Sequence, residues 1–162
     1  MIYDNEIGVL TNNPSFPLQL HNLSNYAALS NKPVIKPFSD LIPFDEYSRG
    51  MGALGLPGDL SSESRFVRAT FHKLNQISTG KVTDIFHLLS TVAMPKGSVA
   101  LGENLYELTE YSSAVNLSTL IYYYRTYSSK AIYSASLFNE DLNRPSLISY
   151  PLVTENNISS HN

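Results

Sequence analysis

Three strand-like runs follow one another with only short turns between them: Tyr106–Leu117 (YELTEYSSAVNL), Thr119–Tyr127 (TLIYYYRTY) and Ala131–Leu137 (AIYSASL). Strands joined this closely run antiparallel, because a parallel crossover needs about a dozen residues or more. Tyr122, Tyr123, Tyr124 and Tyr127 distribute aromatics over both faces of a pleated surface, where such rings pack well. Ser128-Ser129-Lys130 reads as a hairpin turn. Any fold for this chain has to house that meander.

The helices fall before it. Apolar residues at Leu18, Leu20, Leu23, Tyr26, Ala27 and Leu29 predict a short helix opened by Pro17. A glycine-dense stretch, Gly50, Gly52, Gly55 and Gly58, leads into a second helix from about Ser62 to Ser78. Asp59, Ser61 and Ser62 offer capping oxygens there, and Glu63 suits the positive end of the dipole. Phe66, Val67, Thr70, Phe71, Leu74 and Ile77 form its inward face, and Gly80 ends it. A third helix is expected from about Thr83 to Ala93, stopped by Pro95-Lys96-Gly97. Ile2–Leu10 reads as a strand that ends at an Asn-Asn-Pro turn, and Ser30–Ser48 as a long irregular connection. Helices segregated from strands give an α+β fold, an antiparallel sheet with helices on one face. Such a sheet leaves its other face without cover.

Composition removes several function classes. The net charge is −3 and Lys and Arg are scattered, so there is no electrostatic footprint for nucleic acid. No apolar run approaches a membrane span, and the opening MIYDNEIG does not read as a secretion signal, so a cytoplasmic location is expected. There is no cysteine. Disulfides, thiolate metal sites and a cysteine nucleophile from this chain all go with it. His21, His72, His87 and His161 have no metal-ligand spacing, so neither a metal nor a cofactor is expected. Asp40, Asp45 and Glu46 are expected to be solvated loop acids. GMGALGLPGD lacks the phosphate-loop spacing and its lysine, and no G-x-S-x-G elbow occurs.

Two residues resist dismissal. Arg65 lies near the start of its helix, where a cation opposes the dipole, beside the glycine-rich approach. It is either offset by a carboxylate or held facing a cleft. Asn12 ends an apolar run just before Asn13-Pro14. It is either a turn amide or an oxyanion donor projecting from the end of the run.

Asp4-Asn5, Gly8-Val9-Leu10-Thr11-Asn12-Asn13-Pro14, Leu56-Pro57-Gly58-Asp59, Ser64-Arg65-Phe66 and Ile121-Tyr122-Tyr123-Tyr124 occur in an order that resembles the conjugated bile salt hydrolase and penicillin V acylase (choloylglycine hydrolase) family. The similarity runs over nearly the whole chain, with residues 1–153 as a C-terminal portion of that domain and 154–162 as a frayed polar tail. The tyrosine-rich strand and SRGMGALGLPGD point to the bile salt hydrolase side.

The resemblance implies half of an N-terminal-nucleophile αββα sandwich. In such enzymes a processed N-terminal cysteine attacks the amide joining a bile acid to glycine or taurine, and its α-amino group serves as base. The family's oxyanion asparagine falls on Asn12 and its thiolate-supporting arginine on Arg65. The family's nucleophile belongs to the half not matched here, so the chain alone is expected to be inactive. It is then a fragment of such an enzyme, a subunit that pairs with a separate N-terminal half, or a non-catalytic remnant or binding module. Conjugated bile salts are the implied substrates, with penicillin V as the alternative, and full-length relatives are implied to be homotetramers.

Overall fold

The computed structural model describes residues 3–33, 39, 41–42 and 48–155. Asp40, Asp45, Glu46, His161 and most of the expected polar tail lie outside the described residues. The chain forms two compact units, residues 1–78 and 79–162.

In the first unit, α1 spans Phe16–Leu23 and α2 spans Ser62–Asn75. α1 starts with Pro17 in its first turn and tightens into a 3-10 turn at Ser24–Tyr26, short of the expected end at Leu29. Local side chains explain the early stop. The Ser24 hydroxyl donates to the His21 carbonyl at 2.5 Å and the Asn25 amide donates to Asn22 at 3.4 Å, which draws the last turn away from α-geometry.

The expected strand at Ile2–Leu10 does not form among the described residues. Asn5 takes over the hydrogen bonding that a partner strand would have supplied: its Oδ1 accepts the Gly8 N–H at 2.9 Å and its Nδ2 donates to the Val9 carbonyl at 2.9 Å. Gly8 turns there with φ +61°. The apolar side chains of this segment still serve the core. Val9, Phe16 and Phe66 are buried together, with Ile7, Leu23 and Ala69 packed against them. The Phe16 and Phe66 rings meet edge to face at 6.2 Å.

α2 ends at Asn75, before the expected Ser78. Asn75 Nδ2 donates to the Phe71 carbonyl at 2.7 Å and Gln76 turns extended, so the chain leaves the helix before it reaches Gly80. Phe66, Val67 and Thr70 are buried as expected, but Leu74 and Ile77 are exposed. They lie at and beyond the helix end, where the inward stripe no longer applies.

In the second unit, α3 spans Val82–Ser90, one residue earlier and three shorter at its end than expected. Asp84 reaches back to Thr79, accepting its backbone N–H at 2.6 Å and its hydroxyl at 2.9 Å, which fixes the start. Among the described residues five strands follow: β1 Val99–Gly102, β2 Leu105–Glu107, β3 Tyr111–Asn116, β4 Ile121–Thr126 and β5 Tyr133–Ser136. β1 and β2 form an antiparallel hairpin, and β3-β4-β5 form an antiparallel sheet in that order. The expected single run Tyr106–Leu117 is therefore two strands in two sheets. Thr109 makes the break by pairing with Met94, its N–H donating to the Met94 carbonyl at 3.0 Å and its hydroxyl accepting the Met94 N–H at 2.8 Å.

The three-stranded sheet carries Val115, Tyr122 and Ala135 in one cross-strand row and Ser113, Tyr124 and Tyr133 in the next. Tyr124 lies 6.1 Å from Tyr122 and 5.4 Å from Tyr133, ring centre to ring centre. On the opposite face, Arg125 sits 5.5 Å over the Phe86 ring of α3 and donates to the Ser90 hydroxyl at 2.9 Å. Helix α3 thus packs against this face of the sheet at its Arg125 end. Val115 and Tyr111, on the other, are exposed.

Candidate functional site

The residues Thr11 to Pro14 form a turn held from two sides. Gln19 of α1 is completely buried, and its side-chain amide donates to the Pro14 carbonyl at 2.8 Å. Its Oε1 lies 3.0 Å from the Thr11 hydroxyl. On the other side stands Ser62 of α2. Its carbonyl lies 3.1 Å from the Thr11 hydroxyl, and its own hydroxyl accepts the Asn13 N–H at 3.0 Å. The Asn13–Pro14 peptide is cis.

This turn presents Asn12 to the start of α2. Asn12 Oδ1 accepts from Arg65 Nη2 at 3.0 Å and from the Ser62 hydroxyl at 2.9 Å. A guanidinium only donates, so it is the carboxamide oxygen that faces Arg65. The two residues left open by the sequence are therefore hydrogen-bonded to each other. Among the described residues, Asn12 Nδ2 and Arg65 Nη1 have no hydrogen-bond partner, and Asn12 is exposed.

Arg65 is held by the chain before its helix, since its Nε donates to the Leu60 carbonyl at 3.2 Å. That approach is itself fastened. Arg68, buried one turn on, donates to the Pro57 carbonyl at 2.8 Å and to the Asp59 carbonyl at 2.5 Å. Asp59 Oδ1 accepts the Ser61 N–H at 2.9 Å, and Oδ2 accepts the Ser64 hydroxyl at 2.5 Å. Hydrogen bonds from the Ser61 side chain, then Ser64, then the Ser61 backbone, lower the Asp59 carboxyl to about 2. Ser61 caps α2, its hydroxyl accepting the Ser64 N–H at 3.3 Å.

Glycine is required further back. A Cβ on Gly52 would lie 2.0 Å from the Lys32 carbonyl oxygen and 2.6 Å from that of Ser30, and the Gly52 carbonyl accepts the Ser30 N–H at 2.8 Å. The glycine-dense stretch thus folds back on its own unit.

The charge pattern favours an anion. Arg65 and the Asn12 amide both keep donors without a partner among the described residues, and a guanidinium pulling on Oδ1 polarises the carboxamide so that its N–H groups donate more strongly. Among the described residues, no three His, Asp or Glu side chains gather to hold a metal ion, and no helix is long and apolar enough to cross a membrane. His21, His72 and His87 stand on α1, α2 and α3 respectively. Burial and the Arg68 charge lower the pKa of His72.

The sequence singles out Gln19 for no role and Ser62 only as a capping oxygen. Gln19 is legible as a polar residue on the stripe Phe16, Gln19, Leu23, where a helix faces its core. Ser62 is legible only as one of two adjacent serines competing for a single cap.

The family model for linear amide C–N hydrolases, choloylglycine hydrolase family, matches residues 1–150. A bile salt hydrolase/transferase of Lactiplantibacillus plantarum is 53% identical over 158 residues, covering 95% of this chain and 49% of that protein. One from Clostridium perfringens is 35% identical, covering 92% and 46%. The crystal structure of a mutant conjugated bile acid hydrolase from Clostridium perfringens superposes with a TM-score of 0.88 at 33% identity, over 99% of this chain and 50% of that one. Penicillin V acylase from Agrobacterium tumefaciens shares the fold, with a TM-score of 0.59 at 17% identity over 85% of this chain and 38% of that one. The chain spans about half the length of the relatives it matches.

Proposed function

Because the chain belongs to the choloylglycine hydrolase family of linear amide C–N hydrolases, we propose that it supplies half of a site that cleaves the amide of glycine- or taurine-conjugated bile salts. Its architecture is the α+β half of an N-terminal-nucleophile αββα sandwich. This half corresponds to the C-terminal one, and the attacking thiol comes from the other, since this chain has no cysteine.

The observation that carries this reading is the Arg65–Asn12–Ser62 arrangement. When a thiolate adds to the amide carbonyl, negative charge develops on the carbonyl oxygen. Asn12 Nδ2 is the donor for that oxyanion: among the described residues it has no hydrogen-bond partner, while Arg65 and Ser62 both engage Oδ1. Holding the donor ready before charge develops avoids reorganisation during the reaction. Arg65 also acts on the nucleophile, because its remaining N–H groups favour the ionised thiol. Bile salts are preferred over penicillin V because the relatives at 53% and 35% identity are bile salt hydrolases, while the penicillin V acylase match speaks to fold alone.

The test is a hybrid in which this chain replaces the matching half of the Lactiplantibacillus plantarum relative. It should release glycine from glycocholate or taurine from taurocholate, whereas the chain by itself should release neither. Turnover by the purified chain alone overturns the assignment of the nucleophile. A folded hybrid that cleaves penicillin V and no bile salt overturns the substrate, and a folded hybrid inert to both points to a binding module or remnant.

A further inference from the structure

α2 opens with two serines in different roles. Ser61 caps the helix, its hydroxyl accepting the Ser64 N–H at 3.3 Å. That leaves the Ser62 side chain out of the cap. Its hydroxyl has one hydrogen, which goes to Asn12 Oδ1 at 2.9 Å, and its lone pair takes the Asn13 N–H at 3.0 Å. Its carbonyl is 3.1 Å from the Thr11 hydroxyl. One residue of the helix therefore touches three consecutive residues of the turn.

Geometry gives the Asn12 contact its meaning. A single donor on a carboxamide oxygen lets the group pivot about that contact. Donors at an sp² oxygen prefer to lie near the plane of the C=O group, so two donors on Oδ1 fix the amide plane. Once the plane is fixed, the direction of Nδ2 is fixed as well. Arg65 is the first donor and Ser62 the second.

We propose that Ser62 is a positioning residue for Asn12, setting the plane of its carboxamide and the turn backbone beneath it. The inference rests on the reading of Asn12 as the oxyanion donor. Ser62 does not touch the reacting atoms. It acts on the rate by keeping the donor in one orientation, a role distinct from starting a helix that Ser61 already caps.

The Lactiplantibacillus plantarum hybrid tests this through kinetics and crystal structures together. Ser62→Ala should lower kcat about tenfold with KM unchanged, since the lost contact matters only as charge develops on the substrate oxygen. Its crystal structure should show the Asn12 carboxamide rotated or in more than one orientation. Ser62→Thr, which keeps a hydroxyl, should recover most of kcat. Where Ser62→Ala fails to fold, Ser62→Val set against Ser62→Thr compares nearly equal shapes with and without the hydroxyl. A lower melting temperature with kcat intact makes Ser62 merely structural and overturns the proposal, as does an unmoved Asn12 in the alanine variant. A wild-type hybrid that folds but cleaves no bile salt defeats the proposed function instead, while the crystal structures still decide whether Ser62 holds Asn12.

Discussion

Arg65 reaches Asn12 across 53 positions of sequence, its Nη2 donating to the Asn12 side-chain oxygen at 3.0 Å. The bond joins a helix start to a turn that has no regular secondary structure of its own. It makes the two residues a unit, and a unit has measurable properties that separate residues lack.

The first is non-additivity. In the hybrid enzyme, Asn12→Ala should lower kcat about 100- to 1,000-fold, the usual loss when an oxyanion donor goes. Arg65→Ala should lower it as well, both by releasing Asn12 and by weakening the thiolate. The double variant should lose less than the product of the two, with a coupling of about 0.5–3 kcal/mol. Steady-state kinetics on the four proteins decides it. Strictly multiplicative losses would mean that Arg65 acts without Asn12.

The turn sits on a small core, so the core sets its footing. Phe66 has no exposed surface and meets Phe16 edge to face. Phe66→Ala should destabilise the first unit by about 3–5 kcal/mol, through lost burial and the cavity left behind. Urea unfolding followed by circular dichroism measures it, and Phe66→Leu should recover much of the loss. A cost below about 1 kcal/mol for the alanine variant would show that this cluster is not what holds the unit together.

Asp59 introduces a pH dependence. Its carboxyl is lowered from 3.8 to about 2, first by the hydrogen bond from the Ser61 side chain. A depressed carboxyl stabilises the fold above its unfolded value, and that contribution is lost as pH falls through the folded value. Stability should therefore drop between pH 3.8 and about 2, and Asp59→Asn should remove this part of the slope. Asp59 is exposed, so solvent screens the effect to less than about 1 kcal/mol. Urea midpoints at a series of pH values test it. Equal slopes for both proteins would place the acid sensitivity elsewhere.

Gly52 tests the back of the loop. An alanine there would drive its Cβ into the carbonyl oxygens of Lys32 and Ser30, and backbone cannot swing aside as a side chain can. Gly52→Ala should cost about 1–3 kcal/mol. Gly58, with open space around its Cβ position, serves as the control, and Gly58→Ala should be nearly neutral. Thermal melts of both variants give the comparison.

Much of this arrangement is legible in the chain before its fold is known. α2 announces itself through Ser61, Glu63 and the spacing of Phe66, Val67 and Thr70, and β4 through its tyrosines. Local signals of that kind survive folding because the forces behind them act within a few residues. The departures share the opposite cause. Ile7, Val9 and Leu10 look like a strand, but Asn5 satisfies the backbone first; Ile7 and Val9 pack into the core from an irregular segment while Leu10 stays exposed. Tyr106–Leu117 looks continuous, but Thr109 pairs with Met94 and divides it, and no local pattern marks a residue 15 positions away as its partner. β1 is hidden beside Pro95-Lys96-Gly97, whose turn chemistry masks a short strand. Asn12 and Arg65 are visible because each is locally awkward. Ser62 is comfortable where it stands, and comfort leaves no trace in a sequence.

The first turn of α2 also has a thermal consequence. Helix ends fray long before a domain melts, and Ser62 and Arg65 both belong to that first stretch of helix. If Asn12 is aimed from there, warming should blunt the site while the bulk of the chain is still folded. On the proposed reading of Asn12, the Ser61 cap and the Asp59 bonds beside it then do more than start a helix: they set the temperature up to which Asn12 keeps its aim.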